Sequence, residues 1–192
     1  MPFADVPQFV ARLRKREAVA ALALEFAILT AARSGEVLGA RWAEIDFQNA
    51  IWTVPAARMK GSRIHRVPLP RRALVILKKL HAATIGEFIF PGRWPGKPLS
   101  GMTMEMILRC MKADDVTVHG FRSSFRDWCG EVSTFPREIA EAALAHVAGD
   151  ATERAYRRGD ALEKRRQLME AWAAYCEPKA GNIVSIARRP HG

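Results

Sequence analysis

Residues 42–69, WAEIDFQNAIWTVPAARMKGSRIHRVPL, interrupt a chain whose other long segments follow helical periodicity. Within this stretch Trp42 to Phe47, Ile51 to Val54 and Arg63 to Leu69 are short and rich in β-branched or aromatic residues, the composition of strands. Gln48-Asn49 and Lys60-Gly61-Ser62 supply turn chemistry between them. The reading is a three-stranded antiparallel sheet. Upstream, an Asp5 cap followed by Pro7, Phe9, Val10 and Leu13 predicts a short amphipathic helix, Ala18 to Thr30 a buried helix, and Ser34 to Ala40 a further turn or two. Downstream, helical periodicity returns over Arg71 to Ala83. Phe88 to Phe90 then forms a short extended piece, and the Pro- and Gly-dense Pro91 to Pro98 a loop. Helices are predicted at Thr103–Ala113, Gly120–Val132, Pro136–Leu144, Ala151–Arg157 and Ala161–Tyr175, with a possible strand at Ile183–Ile186. The expected fold class is mainly α with a small three-stranded antiparallel β-sheet, an α+β domain.

The 192 residues, 49% of them hydrophobic, suffice for one well-buried domain. Thirty Lys and Arg against twenty Asp and Glu give a net charge of +10 and a sequence pI near 10.2. Such a field attracts a polyanion, and Lys and Arg contacts to phosphates would make the affinity salt-dependent. No long segment carries a continuous basic amphipathic face, so a membrane surface is the weaker partner. Cys110, Cys129 and Cys176 are odd in number and contain no C-x-x-C pair. A disulfide framework and a cysteine zinc site are therefore not expected, and the thiols fit a reducing cytoplasm. No apolar run approaches the roughly 18 residues of a membrane span, and the N-terminus lacks the order of a signal peptide.

Familiar enzyme motifs are missing. Gly92 to Lys97 has the spacing G-x-x-x-G-K, with Pro95 and Pro98 removing amide donors and no Ser or Thr after the lysine, so it is not a phosphate loop. There is neither a G-x-S-x-G elbow nor an H-E-x-x-H helix. What remains is a set of widely spaced basic residues and a tyrosine. Arg33 precedes Glu36 by three residues. Alone this is an ordinary helical ion pair; functionally, Glu36 would hold the guanidinium while Arg33 grips a phosphate oxygen. His119 and Arg122 share a helical face, with Phe121, Phe125 and Trp128 forming a separate apolar stripe. On one reading Arg122 pairs with a local carboxylate and His119 caps a turn. On the other, His119, Arg122 and Arg126 face an anion. Lys60 stands at a turn amid Arg58, Arg63, His65 and Arg66, where it is either a solvated lysine or one that reaches into DNA to donate a proton. Of the two tyrosines, Tyr175 continues the apolar series Leu168, Ala171, Trp172 and reads as packing. Tyr156, among Glu153, Arg154, Arg157 and Arg158, has no such stripe and is the candidate for chemistry.

Taken in order, these residues resemble the tyrosine recombinase, or phage integrase, family. Thr30-Ala-Ala-Arg33-Ser-Gly-Glu36-Val-Leu38 resembles its first arginine box, and His119-Gly-Phe-Arg122 its H-x-x-R box. Leu144-Ala-His146 with Tyr156 ten residues on resembles its terminal histidine and nucleophile box. Lys60, before the strand ending Val67-Pro68-Leu69, occupies the place of its hairpin lysine. The match runs over roughly residues 18–176. One R-x-x-E or H-x-x-R carries little information, but the ordered set is specific. HGFRSSFRDW and ATERAYRRGDALEKRRQLMEAW look like prophage integrases that insert into tRNA genes. One departure is Ala31, where many members carry glycine. Little effect is expected unless that backbone needs a positive φ.

The resemblance implies the catalytic-domain fold of that family and its reaction. Tyr156 would attack the scissile phosphate to give a 3′-phosphotyrosyl link, with Arg33, Arg122 and His146 on the phosphate oxygens. His119 would assist proton transfer at Tyr156, and Lys60 would protonate the leaving 5′-oxygen. Arg58, Arg63, Arg66, Arg126 and Arg157 are candidates for DNA-backbone contacts. Neither a metal nor a cofactor is implied. The implied partners are double-stranded DNA attachment sites, further protomers of a tetramer on DNA when full length, and DNA-bending accessory proteins. Two alternatives stay open, a type IB topoisomerase-like relaxase and a DNA-binding module without catalysis. Residues 1–176 read as the catalytic domain, with 1–17 as a leading linker or helix. Residues 177–192 read as a tail that packs in cis or in trans. Because the arginine box comes at residue 33, no room is left for the helical domain that integrases usually carry upstream. The chain thus reads as an isolated catalytic domain or a truncated product.

Overall fold

A helix with apolar residues on every side must be enclosed on every side, and VAALALEFAILT is such a segment. It forms α2 (Val19–Thr30), the central helix of the computed structural model, which describes residues 1–83, 86–146 and 160–178. Phe26 and Leu29 are fully buried. Around α2 pack α1 (Val6–Leu13), α3 (Ser34–Leu38), α4 (Arg71–His81), α5 (Thr103–Cys110) and α8 (Leu162–Cys176). The remaining helices are α6 (Gly120–Glu131) and α7 (Arg137–Ala143). The leading helix is part of this core, since Val6, Phe9, Val10 and Leu13 of α1 are all buried.

The sheet is three-stranded and antiparallel in the order β1 (Ile45–Asp46), β2 (Ile51–Val54), β3 (His65–Pro68). Trp52 pairs with Ile45 on one side and Val67 on the other. Its indole is fully buried against Phe26, with ring centroids 5.4 Å apart. The first strand is shorter than its composition suggests. Trp42–Glu44 is a tight helical turn instead, because the Glu44 carboxylate accepts the Arg41 N–H and the Trp52 indole N–H, folding the segment back on itself. At the other end Arg63 and Ile64 stay outside the ladder and exposed. Phe88 bridges to Arg41, so the short extended piece closes onto the start of this region.

α6 carries the expected stripe: Phe121, Phe125 and Trp128 are buried. Phe125 and Trp128 meet Trp172 of α8 at 5.5 and 5.2 Å between ring centroids. Tyr175 stacks on Trp172 at 5.8 Å and 14° and lies 5.6 Å from Trp128, so it is a packing residue. The helix predicted at Ala151–Arg157 and the strand predicted at Ile183–Ile186 lie outside the described residues. Among the described residues, no helix is long and apolar enough to cross a membrane.

Candidate active site

The site forms where three chain reversals meet. The first ends α2. Ala31 takes the left-handed conformation, φ 48° and ψ 27°, while almost fully buried. This turn frees the chain to begin α3 with Arg33 at its N-cap. The condition under which an alanine here matters is therefore met: a side chain in this region costs about 1 kcal/mol or more. Glu36, 4% exposed, reaches back to accept the Arg33 main-chain N–H at 3.0 Å and the Arg33 Nη1 at 2.7 Å. Arg33 itself keeps about a quarter of its side chain open to solvent.

The second reversal leads into α6. His119 stands at the N-cap of α6 and is exposed, its side chain making no capping hydrogen bond. Arg122, one turn on, is 5% exposed. Among the described residues it forms no ion pair with a carboxylate. Its Nη1 donates to the Ala31 carbonyl, its Nη2 to the Leu144 carbonyl at 2.8 Å, and the His146 Nε2 lies 3.3 Å from that same nitrogen. Neutral carbonyls orient a guanidinium without cancelling its charge. Burial and then the nearby Arg33 charge bring the Arg122 pKa down to about 10, with Glu36 opposing only in part. It remains a cation at neutral pH, but one poorly compensated by the protein.

The third reversal ends α7. Ala145 is left-handed (φ 51°), the His146 N–H donates to the Glu141 carbonyl at 2.9 Å and the Ala145 N–H to the Ala142 carbonyl at 3.2 Å. This 6→1 and 5→2 pair is a Schellman closure, and it places His146 above Glu141. The Glu141 carboxylate is 2.7 Å from His146 Nδ1 and also accepts from Arg126 Nε at 3.1 Å. Burial works against charge on Glu141, but the His146 contact and Arg126 outweigh it and hold the carboxyl below its usual range.

The hairpin side contributes support and exposed cations. Arg58 turns inward, its Nη1 donating to the Glu36 carbonyl at 2.8 Å and its Nη2 bonding Glu44. Gly39 leaves the space for it, since a Cβ there would stand 2.9 Å from the Arg58 Nη1. Arg58 thus braces Glu36 from beneath. Lys60 is exposed on the turn between β2 and β3, where Ser62 adopts φ 49°; Arg63 is exposed beside it. Arg66 is held by Asp160 through two bonds of 2.9 Å, and the buried Arg165 ties Asp160 to the Arg66 carbonyl. His65 bonds the Ala143 carbonyl at 3.2 Å. Burial first, then the charge of Arg165, lowers its pKa to about 4, so the ring is neutral at neutral pH.

Arg33, Glu36, Arg122 and His146 are therefore brought together, with Lys60 and His119 exposed on neighbouring segments. Tyr156 and Arg157 lie outside the described residues. Glu141 and His65 were not singled out from the sequence. A signal for Glu141 existed: a carboxylate five residues before a histidine, across a helix end, is within reach of its ring.

The chain matches the phage integrase family model over residues 1–163. It is 44% identical over 161 residues to prophage integrase IntA of Escherichia coli strain K12, a match covering 82% of this chain and 39% of that protein. With the integrase of Enterobacteria phage P4 it shares 31% identity over 206 residues, covering 97% of this chain and 47% of the relative. The chain thus spans less than half the length of these curated relatives. Among solved structures it is similar in fold to the integrase of mycobacterium phage Brujita, with a TM-score of 0.68, 19% identity and coverage of 96% and 61% of the two chains. It is also similar to a lambda integrase (75–356) dimer bound to a COC′ core site, with a TM-score of 0.56, 24% identity and coverage of 76% and 56%.

Proposed function

Because this chain belongs to the phage integrase family, we propose that it is the catalytic part of a site-specific DNA recombinase that cuts and rejoins strands through a 3′-phosphotyrosyl intermediate. The observation that carries the reading is the buried, carbonyl-bound Arg122 beside Arg33, two cations with, among the described residues, the Glu36 carboxylate between them. A phosphodiester approaching cleavage carries negative charge that grows on its non-bridging oxygens in the transition state, and preorganised cations stabilise that growth.

In this mechanism the Tyr156 oxygen attacks the scissile phosphorus while Arg33 and Arg122 hold the non-bridging oxygens. His146 Nε2 donates to one of them. His119 assists removal of the phenol proton, which at an ordinary pKa of about 10 is otherwise retained at neutral pH. Lys60 gives a proton to the leaving 5′-oxygen, as a general acid on an exposed turn can. A second strand's 5′-hydroxyl then attacks the phosphotyrosyl bond and frees Tyr156. The covalent link keeps the phosphodiester free energy, so the cycle needs no ATP. Arg63 and Arg157 hold flanking phosphates; Arg66 and Arg126 join them only by exchanging Asp160 and Glu141 for DNA. The reading extends to attachment-site DNA, a tetramer of full-length protomers with bending proteins in the bacterial nucleoid, and tRNA-gene targets.

The test is covalent capture. Nicked, labelled attachment-site DNA is mixed with the protein and run on a denaturing gel. A protein–DNA adduct that vanishes in Tyr156→Phe supports the reading, and an adduct that persists in that variant defeats it.

A further inference from the structure

We propose that Glu141 is a positioning residue for His146: it fixes the imidazole as the Nδ1–H tautomer and reserves Nε2 for the scissile phosphate, a role that rests on the recombinase reading above. The Schellman closure at Ala145 ties residue 146 to residue 141 through the main chain at 2.9 Å, and the side chains repeat the link at 2.7 Å. The carboxylate, being ionised, accepts; Nδ1 must therefore carry the hydrogen. A free imidazole prefers the hydrogen on the other nitrogen, so the contact reverses a default. Glu141 cannot easily swing away, because Arg126 holds its second oxygen at 3.1 Å and its side chain is only 12% exposed.

On the far side of the ring, Nε2 lies 3.3 Å from Arg122 Nη2. Guanidinium has hydrogens to give and no lone pair, so in the free protein a neutral Nε2 accepts from Arg122. A phosphate oxygen arriving at Arg122 turns that demand around. Nε2 must now donate, which requires a second ring proton taken from solvent. Among the described residues, Arg122 of α6 and Glu141 of α7 contact the ring, Arg126 of α6 bonds the other oxygen of Glu141, and His65 of β3 bonds the adjoining Ala143 carbonyl. With Nδ1 held by Glu141, the ring turns Nε2 toward Arg122 and the phosphate that would arrive there.

Two experiments test this separately from the recombinase reading. Nitrogen-15 correlation spectra of the 192-residue chain report which ring nitrogen of neutral His146 bears the hydrogen. The Nδ1–H form in the wild type, losing population to Nε2–H in Glu141→Ala, supports the proposal; an Nε2–H wild type overturns it whatever the enzyme does. The second is a double-mutant cycle on the rate of covalent capture. Glu141→Gln should slow capture by roughly 10–100-fold, the scale of losing a carboxylate that orients a histidine, while DNA affinity stays within about twofold. In a His146→Ala background the same change should add nothing. Losses that multiply, or an unaffected Glu141→Gln enzyme beside an impaired His146→Ala enzyme, overturn the positioning role. Unimpaired capture by His146→Ala instead defeats the part given to His146 in the reaction, leaving the tautomer measurement to judge the contact itself.

Discussion

Two clusters of arginine involve α2, one at Glu25 and one just beyond its C-terminal end, and they are built to different rules. At the first, the Glu25 carboxylate, 1% exposed, accepts from Arg14 at 2.6 Å and from Arg72 at 2.8 and 2.9 Å, and Glu177 takes the other face of Arg14. Two cations meet two anions. Burial opposes charge on Arg14, yet Glu177 and Glu25 together raise its pKa above the ordinary value. At the second, among the described residues, Glu36 bonds Arg33 and acts on Arg122 only through space, and Arg122 is held by carbonyls, its pKa brought down to about 10. The first cluster joins α1, α2, α4 and the end of α8 and leaves no charge over. Among the described residues, the second keeps a positive charge that Glu36 offsets only in part. A balanced arginine stabilises the fold, whereas an unbalanced one is held ready for a ligand at some cost to the fold.

The largest effect should follow Arg122→Gln, which retains a donor for a carbonyl but discards the charge. Covalent capture should fall by about 10³-fold, the scale of removing a preorganised charge donor from a transition state, with thermal stability changing by no more than about 1–2 kcal/mol. A variant that unfolds in proportion to its lost activity would place Arg122 in the same class as Arg14. Glu25→Gln should do the reverse. Leaving two arginines without their shared anion should destabilise the domain by about 2–4 kcal/mol in denaturant titration, while capture per folded molecule is unchanged.

A third measurement is made at His65, whose ring bonds the Ala143 carbonyl beside the site. Its pKa is depressed from 6.5 to about 4 by burial and then by Arg165, so the unfolded chain binds this proton more readily than the folded one. The contribution is complete above pH 6.5 and is lost as the pH falls toward 4, amounting to about 3 kcal/mol. Stability measured between these pH values should fall less steeply in His65→Asn; identical slopes would contradict the assignment. The smallest effect is expected of Ala31→Gly. Relief of the left-handed alanine, partly offset by the freer unfolded chain, should raise stability by about 0.5–1 kcal/mol, seen as a small rise in Tm. A loss of stability would mean that the buried methyl matters more than the backbone.

The sheet was legible in residues 42–69 because β-branched and aromatic runs stand out against helical surroundings. Its first strand came out short because Glu44 recruits Arg41 and Trp52, contacts that composition does not reveal. The ordered Arg33, His119–Arg122 and His146 boxes were legible as a set, but the burial of Arg122 was not. It had a signal: Arg122, Phe125 and Cys129 fall at i, i+3 and i+7, on the buried face of α6, so the stripe was wider than the aromatics alone suggested. Glu25 is a single acid in an apolar helix, and its partners lie 11 and 47 residues away. Only the fold brings them together. Likewise, nothing local distinguishes Arg58, which turns inward to Glu36 and Glu44, from Arg63, which stays exposed.

The central claim is that the unbalanced cations serve a phosphate attacked by Tyr156. Mass spectrometry of the peptide that remains bound to DNA after covalent capture and proteolysis tests it most directly. The account predicts a nucleotide mass on the peptide containing Tyr156, attached at that tyrosine. A nucleotide carried by Tyr175, or by any residue other than Tyr156, would contradict it.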